Sequence, residues 1–313
     1  MSKIKIGWAE ELFDITKPVA LVGQFAERIS EYVENPLTVT ALSVDSGEEQ
    51  MVLCSVDLVT TSASFVQEIR KRLENNHVGL DPQKVVISAI HTHTGPGYIG
   101  RGMSVGSAIK GGGNNRQLLE AELPPGKKYI EKVDLMSREA ITEELVSKIA
   151  KAILRSWEAR AEGSFSNAFG RAVVGMCRRV RYSDGTAQMW GDTNHATFTE
   201  LEGGNDSGIE LLYIFDTNHK LTGIVANLAC PAQCVQHRLF ISPDFWGEAK
   251  MLLRKHFGED IFLLPLCSAA GDQCPVDLVR WVEPESDLND PNCIRNNPPK
   301  RKADPSMFDL SGM

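Results

Sequence analysis

Val85-Val86-Ile87-Ser88-Ala89-Ile90-His91-Thr92-His93-Thr94-Gly95-Pro96-Gly97 sets the reading of the whole chain. Its first six residues are mostly apolar and β-branched, the composition of a buried strand. The Gly95-Pro96-Gly97 turn comes at once after the histidines, so they sit where strand gives way to loop. In extended backbone, residues i and i+2 face one side, and His91 and His93 can present two imidazoles to one point. Neutral imidazole ligates zinc, and two on one strand end make half a site. The alternative is two histidines hydrogen-bonded within a strand-end turn.

Working outward, the same pattern recurs. Leu37 to Val44 and Met51 to Val59 read as a strand pair turned by Asp45-Ser46-Gly47-Glu48, and the second carries Asp57 near its carboxyl end. A carboxylate there must be paired, hydrogen-bonded or bound to a cation. Gly208 to Asp216 and Leu221 to Ala229 read as a second pair, leading into Cys230-Pro231-Ala232-Gln233-Cys234-Val235-Gln236-His237. Ile261 to Leu266 is another buried strand and runs into the Cys267 to Cys274 loop, which includes Ser268. Polar groups gathered after strand carboxyl ends mark the ligand-binding edge of an α/β sheet. The expectation is an α/β or α+β fold, a mixed sheet with flanking helices.

Three helices are legible. Ser64 to Glu74 has Ser62 or Ser64 as cap and Val66, Ile69, Arg70 and Leu73 at helical spacing. Ser137 to Arg160 repeats Ile141, Leu145, Ile149, Ile153 and Trp157 as a core stripe. Ser242-Pro243-Asp244 opens the third, with Ser242 as cap and Phe245, Ala249, Leu252, Leu253 and Phe257 as its apolar face. Arg28 lies in a polar loop and reads as a surface arginine or as a partner for an anionic group. Arg178, Arg179 and Arg181 read as a salt-bridged cluster or as an anion-binding patch.

The chain has 313 residues, 42% hydrophobic and 24% charged, with a net charge of -8. That size allows one large domain or two small ones. The negative charge argues against nucleic acid and anionic membranes as partners. No apolar run approaches the roughly 20 residues of a membrane span. The first residues lack a secretory h-region, and the seven cysteines lack framework spacing, so reduced thiols and a cytoplasmic location are expected. The glycine-rich run from Gly95 to Gly126 has no Walker lysine pattern and reads as a flap beside the histidines.

His91-Thr92-His93-Thr94-Gly95-Pro96-Gly97 resembles the HTHSGP signature of the neutral (alkaline, non-lysosomal) ceramidase family. Gly23-Gln24-Phe25-Ala26-Glu27-Arg28 and the Asp57 strand resemble its N-terminal segments, and Ala270-Gly271-Asp272-Gln273-Cys274-Pro275 is similar to its GDxSP loop. The resemblance spans most of residues 4 to 277 and is specific at these islands in combination. It implies an α/β catalytic domain with a buried zinc that cleaves N-acyl amides. By match, His91 is a zinc ligand and His93 its neighbour at the reacting centre, and Asp272 and Cys274 lie in the nucleophile loop.

The chain departs from that pattern at three places. Cys274 stands where the family has serine. Pro231 stands where it has a second zinc histidine, the nearest histidine being His237. Its glutamate and tyrosine ligands lie beyond the GD loop, where this chain has a polar, proline-rich run including Glu283, Glu285, Asp287 and Asp290. The expected organisation is one catalytic domain over residues 1–281 and a tail over 282–313, the start of a part that continues past Met313. The expected function is a zinc-dependent hydrolase of an amide or ester bond. Its metal candidates are His91, His93 and His237, its catalytic candidates His93, Asp272 and Cys274, and its substrate-lining candidates Arg28, Asp57 and Ser268. The expected partner is a small N-acyl or ester compound. The rivals are thiol chemistry at Cys274 or Cys267 and a non-catalytic binding protein on a degenerate hydrolase fold.

Overall fold

Eight runs, most of them rich in Val, Ile, Leu and Thr, pair into one mixed sheet. They are β1 (Lys5–Leu12), β2 (Thr38–Asp45), β3 (Gln50–Val56), β4 (Val85–Ala89), β5 (Ala161–Arg171), β6 (Gly208–Asp216), β7 (Leu221–Leu228) and β8 (Phe262–Cys267). Among the described residues three α-helices accompany them: α1 (Ala63–Glu74), α2 (Arg138–Glu158) and α3 (Phe245–Phe257). The computed structural model describes residues 4–24, 28–74, 78–98 and 134–279. The expected flap from Gly95 to Gly126, beyond Tyr98, and the tail over 282–313 lie outside the described residues.

Strand order is β8-β7-β6-β5-β1-β2-β3-β4. The order hides a repeat. β1, β2 and β3 are antiparallel neighbours, and β4 then pairs parallel with β3 after crossing through α1. β5, β6 and β7 are antiparallel neighbours, and β8 pairs parallel with β7 after crossing through α3. A parallel neighbour requires such a crossover, and a helix supplies it. The two halves meet at β1 and β5 through two registered pairs, Lys5 with Glu162 and Ile6 with Ala161.

At that seam the sheet folds back on itself. The Ser55 hydroxyl in β3 donates to the Pro265 carbonyl in β8 at 2.5 Å. Trp8 in β1 stacks on Phe262 in β8, centroids 5.4 Å apart. Strand alternation sorts the apolar residues accordingly. Val39 and Ala41 in β2 and Val52 and Cys54 in β3 pack beneath α1 and α2. Leu42, one residue out of phase, packs with Ile6, Ile214, Val225 and Leu264 between the halves. Ile224, Ala226 and Leu263 face α3 with Trp246. The result is four layers, helix–sheet–sheet–helix, with three apolar interfaces. Each fully buried Leu or Ile in them contributes about 1.5–3 kcal/mol.

The Ile141, Leu145, Ile149, Ile153 and Trp157 stripe of α2 is buried as expected, and Ser137 caps the helix by accepting from the Ala140 amide. The expected face of α1 needs correction: Phe65, not Val66 or Arg70, joins Ile69 and Leu73 inside. The face of α3 does too. Leu252 and Phe257 are 60% and 49% exposed, while Trp246 and Lys250 are buried. The helix is rotated so that Lys250 reaches the polar end of the first half. Its cap is Asp244, whose carboxylate accepts from the Phe245 amide at 2.8 Å, and not Ser242. Among the described residues no helix is long and apolar enough to cross a membrane.

Candidate functional site

The histidines follow β4, at the carboxyl end of the first parallel pair. The strand stops at Ala89. Beyond it the chain still tracks β3: the Ile90 amide donates to Val56 and the His91 amide to Leu58. His91 adopts a left-handed backbone, φ 66°. The extended i, i+2 argument therefore does not hold at these residues; the turn itself brings the rings together, centroids 5.0 Å apart and tilted by 58°. A non-glycine residue held at positive φ is strained and persists only where its surroundings enforce it.

Those surroundings are specific. The Thr92 and Thr94 hydroxyls each donate to the Ser242 carbonyl at 2.8 Å, fixing the turn to the segment that opens α3. Arg28 is buried and donates to four carbonyls: Val22 at 2.9 Å, His93 at 2.6 Å, Gln236 at 2.7 Å and Arg238 at 3.0 Å. It ties three loops together through its two terminal nitrogens. Gly23, at φ 99°, packs so closely that a Cβ there would fall 2.4 Å from the His93 ring.

Hydrogen-bond partners decide the tautomers. His91 Nδ1 lies 2.6 Å from the Val59 carbonyl, which only accepts, so Nδ1 carries the proton and Nε2 the lone pair. His93 Nε2 lies 2.8 Å from the Gln233 amide nitrogen. The Gln233 oxygen is turned to Arg178, a pure donor, so the amide donates to His93 Nε2 and occupies its lone pair. His93 Nδ1 is buried without a hydrogen-bond partner among the described residues. Burial, then the charges of His91, Arg28 and Arg178, push the His93 pKa down to about 3, against a smaller opposing contribution from the Gln236 amide. Burial also lowers His91, with the Val59 bond opposing and Arg178 assisting. Both imidazoles are neutral at pH 7.

The other candidates are dispersed. Asp57 is 1% exposed, and its carboxylate accepts from the Thr38 amide and hydroxyl, each at 2.7 Å, with Lys250 at 3.6 Å. Burial raises its pKa, with Lys250 and Thr38 opposing. Lys250 also contacts the Thr38 hydroxyl and lies 3.5 Å from Glu10, itself 2.7 Å from Arg254. Asp57 thus joins a polar seam between layers. The Asp272 carboxylate accepts from the Cys177 thiol at 3.8 Å, and its carbonyl from the Arg178 amide at 2.8 Å. Cys274 is fully buried with Val180, Val276 and Leu278, its sulfur 3.2 Å from the Val276 carbonyl. The Ser268 amide donates to Leu228, closing the end of the second parallel pair. Burial, then the charges of Arg238 and Arg28, lower the His237 pKa, and His237 makes no hydrogen bond to the histidine pair among the described residues. Gln233 was not singled out in the sequence; its one signal is that it follows Pro231, the position where the resemblance leads one to look for an imidazole.

The donor set among the described residues does not fit zinc. Among the described residues no three His, Cys, Asp or Glu side chains are grouped to hold a metal. His91 Nε2 is the one imidazole lone pair left open here, since His93 Nε2 is taken by Gln233. Two arginines, Arg28 and Arg178, and among the described residues no ion-paired carboxylate, stand by the pair. A catalytic zinc site needs three protein ligands.

No protein-family model matches the sequence, and no curated protein matches it. The fold does have relatives among solved structures. A ceramidase complexed with C2 superposes with a TM-score of 0.66 at 16% identity, covering 88% of this chain and 39% of that one. Neutral ceramidase from Pseudomonas aeruginosa superposes with a TM-score of 0.64 at 16% identity, covering 90% of this chain and 41% of that one. The fold is ceramidase-like. The chain spans about two fifths of the length of these structures.

Proposed function

We propose that this chain is a hydrolase of an amide or ester bond, with His91 as the base that activates water. What supports this above all is the way His91 is held. Its proton is fixed on Nδ1 by the Val59 carbonyl, and its lowered pKa leaves Nε2 unprotonated at pH 7. Nε2 takes a proton as water attacks the acyl carbon and returns it to the departing amine or alcohol. The ceramidase-like fold, with its polar strand ends, supports an acyl substrate of small size. Buried Cys274 is not required.

The test is turnover of a panel of N-acyl amides and esters. His91→Ala should lower kcat/KM by about 10²- to 10⁴-fold, the range for a general base. Turnover that is equal in wild type and His91→Ala would remove His91 from the reaction, and no turnover on any member would remove the hydrolase reading. Metal analysis belongs beside it. Stoichiometric zinc that disappears in His91→Ala would restore the metal-dependent form expected from the family resemblance.

A second reading has its own observation. Gln233 occupies the His93 lone pair where a second zinc ligand was expected, which favours a binding protein on a degenerate hydrolase fold. Saturable ligand binding without turnover distinguishes it.

A further inference from the structure

Arg179 and Arg181 behave as a salt-bridged cluster: Arg179 pairs with Glu202, and Arg181 with Glu200 at 2.9 Å. Arg178 does not. One terminal nitrogen donates to the Gly271 carbonyl at 3.0 Å, and the other makes a long 3.4 Å contact with Gln233. Its Nε is buried without a hydrogen-bond partner among the described residues, and the guanidinium lies 5.5 Å over the Trp190 ring. Arg28 has only carbonyls, and its Nε is likewise unsatisfied. Among the described residues neither arginine has a carboxylate within ion-pair distance.

Acidic side chains at this sheet edge are engaged elsewhere. Asp57 faces Thr38 and Lys250, Asp244 accepts from the amides of Cys234, Val235 and Phe245, and Asp272 faces Cys177. The chain carries a net charge of -8, yet Arg28 and Arg178 make the surroundings of the histidine pair locally cationic. Arg28 is buried and Arg178 half-buried, and a cation drawn out of water without a counter-charge is costly, a cost that a negative ligand removes. We infer that the site beside the histidine pair takes its ligand through one oxyanion, a carboxylate or a phosphoryl group, held at Arg178. The planar guanidinium suits both groups, since each can accept two parallel N–H bonds. This edge of the sheet is then an anion site where a zinc site was expected. This concerns what the site holds and stands with or without turnover.

Calorimetric titration of the full chain at low ionic strength tests it, with N-acetylglycine, methyl phosphate and zinc chloride as separate probes. One of the two anions should saturate at one per chain, and which one separates the carboxylate from the phosphoryl form. Arg178→Gln should weaken that binding by about tenfold or more, the loss of a charge-assisted pair. Arg178→Lys, which keeps the charge and loses the fork, serves if the glutamine variant does not melt cooperatively; it should weaken binding by about threefold or more. Equal affinity in the variant that folds overturns the inference. So does failure of both anions to saturate by about 10 mM, an affinity too weak for a built site. Zinc bound at one per chain and lost in His91→Ala overturns it as well.

Discussion

The two halves of this molecule share one strand plan and end differently. Each runs three antiparallel strands, a crossover helix and a parallel fourth strand. After β4 the first half presents His91 and His93 on a turn fixed by threonines and Arg28. After β7 and β8 the second half presents an amide, Gln233, and buried thiols, Cys230 and Cys274. A common scaffold thus delivers two loop clusters to one place, the two imidazoles from one and the amide that occupies the His93 lone pair from the other. What differs is which polar groups each half leaves open, not how each half is folded.

The largest effect should come from breaking the halves unequally. Gly7 in β1 and Gly163 in β5 occupy the third position of their strands. A Cβ on Gly7 would lie 2.1 Å from the Ser156 carbonyl of α2, whereas one on Gly163 would meet the Phe215 carbonyl at 2.9 Å. Gly7→Ala should cost about 3 kcal/mol or more and Gly163→Ala about 1 kcal/mol, by the usual range for overpacking against backbone. Urea melts of both variants measure it; equal losses would mean that α2 yields more readily than its packing suggests.

Lys250 is the cation that α3 of the second half sends into the first. Lys250→Met leaves Asp57 and Glu10 without it and should cost about 3 kcal/mol, as for one partner of a buried pair. A loss below about 1 kcal/mol, the level of an exposed pair, would show the seam to be solvated.

Acid should act on the first half before the second. His93 has a folded pKa of about 3, below the ordinary histidine value of about 6.5. The unfolded chain therefore binds the extra proton first. The stability His93 contributes is present above about pH 6.5 and falls as the pH drops toward 3, by at most about 1.4 kcal/mol per pH unit. His91 acts in the same direction. His93→Gln should flatten the dependence of the urea midpoint between pH 6.5 and 4, and an unchanged slope would place the acid sensitivity elsewhere.

The smallest expected effect is at Cys274. Its sulfur is buried against apolar side chains, so Cys274→Ser should cost about 1–2 kcal/mol for the added hydroxyl and leave any turnover within about tenfold. A covalent acyl adduct on Cys274 would assign it the chemistry instead.

Much of the scaffold was legible because it rests on local patterns. Strand limits of β6 and β7, the stripe of α2 and the β2–β3 turn follow from alternation, helical spacing and turn residues. The folded-over sheet was not, since it depends on where β5 pairs, and the two-residue seam with β1 carries no local signal. The buried face of α3 was misjudged because Lys250 is charged; only its tertiary partners, Glu10 and Asp57, make burial tolerable. At the site, proximity of His91 and His93 was foreseen for the wrong reason, a strand instead of a strained turn. Gln233 was missed because an amide looks unremarkable until its neighbours fix which end faces the imidazole. Arg178 was grouped with Arg179 and Arg181, and only the positions of Glu200 and Glu202 separate it from them.

The protonation pattern of the two imidazoles is the point on which the account turns, and long-range proton–nitrogen NMR of histidine-labelled protein reads it directly. At pH 7 His91 should carry its proton on Nδ1 and His93 should be unprotonated at Nε2, with His93 neutral to near pH 4. A His93 that titrates near its ordinary value of about 6.5, or a His91 protonated at Nε2, would contradict it.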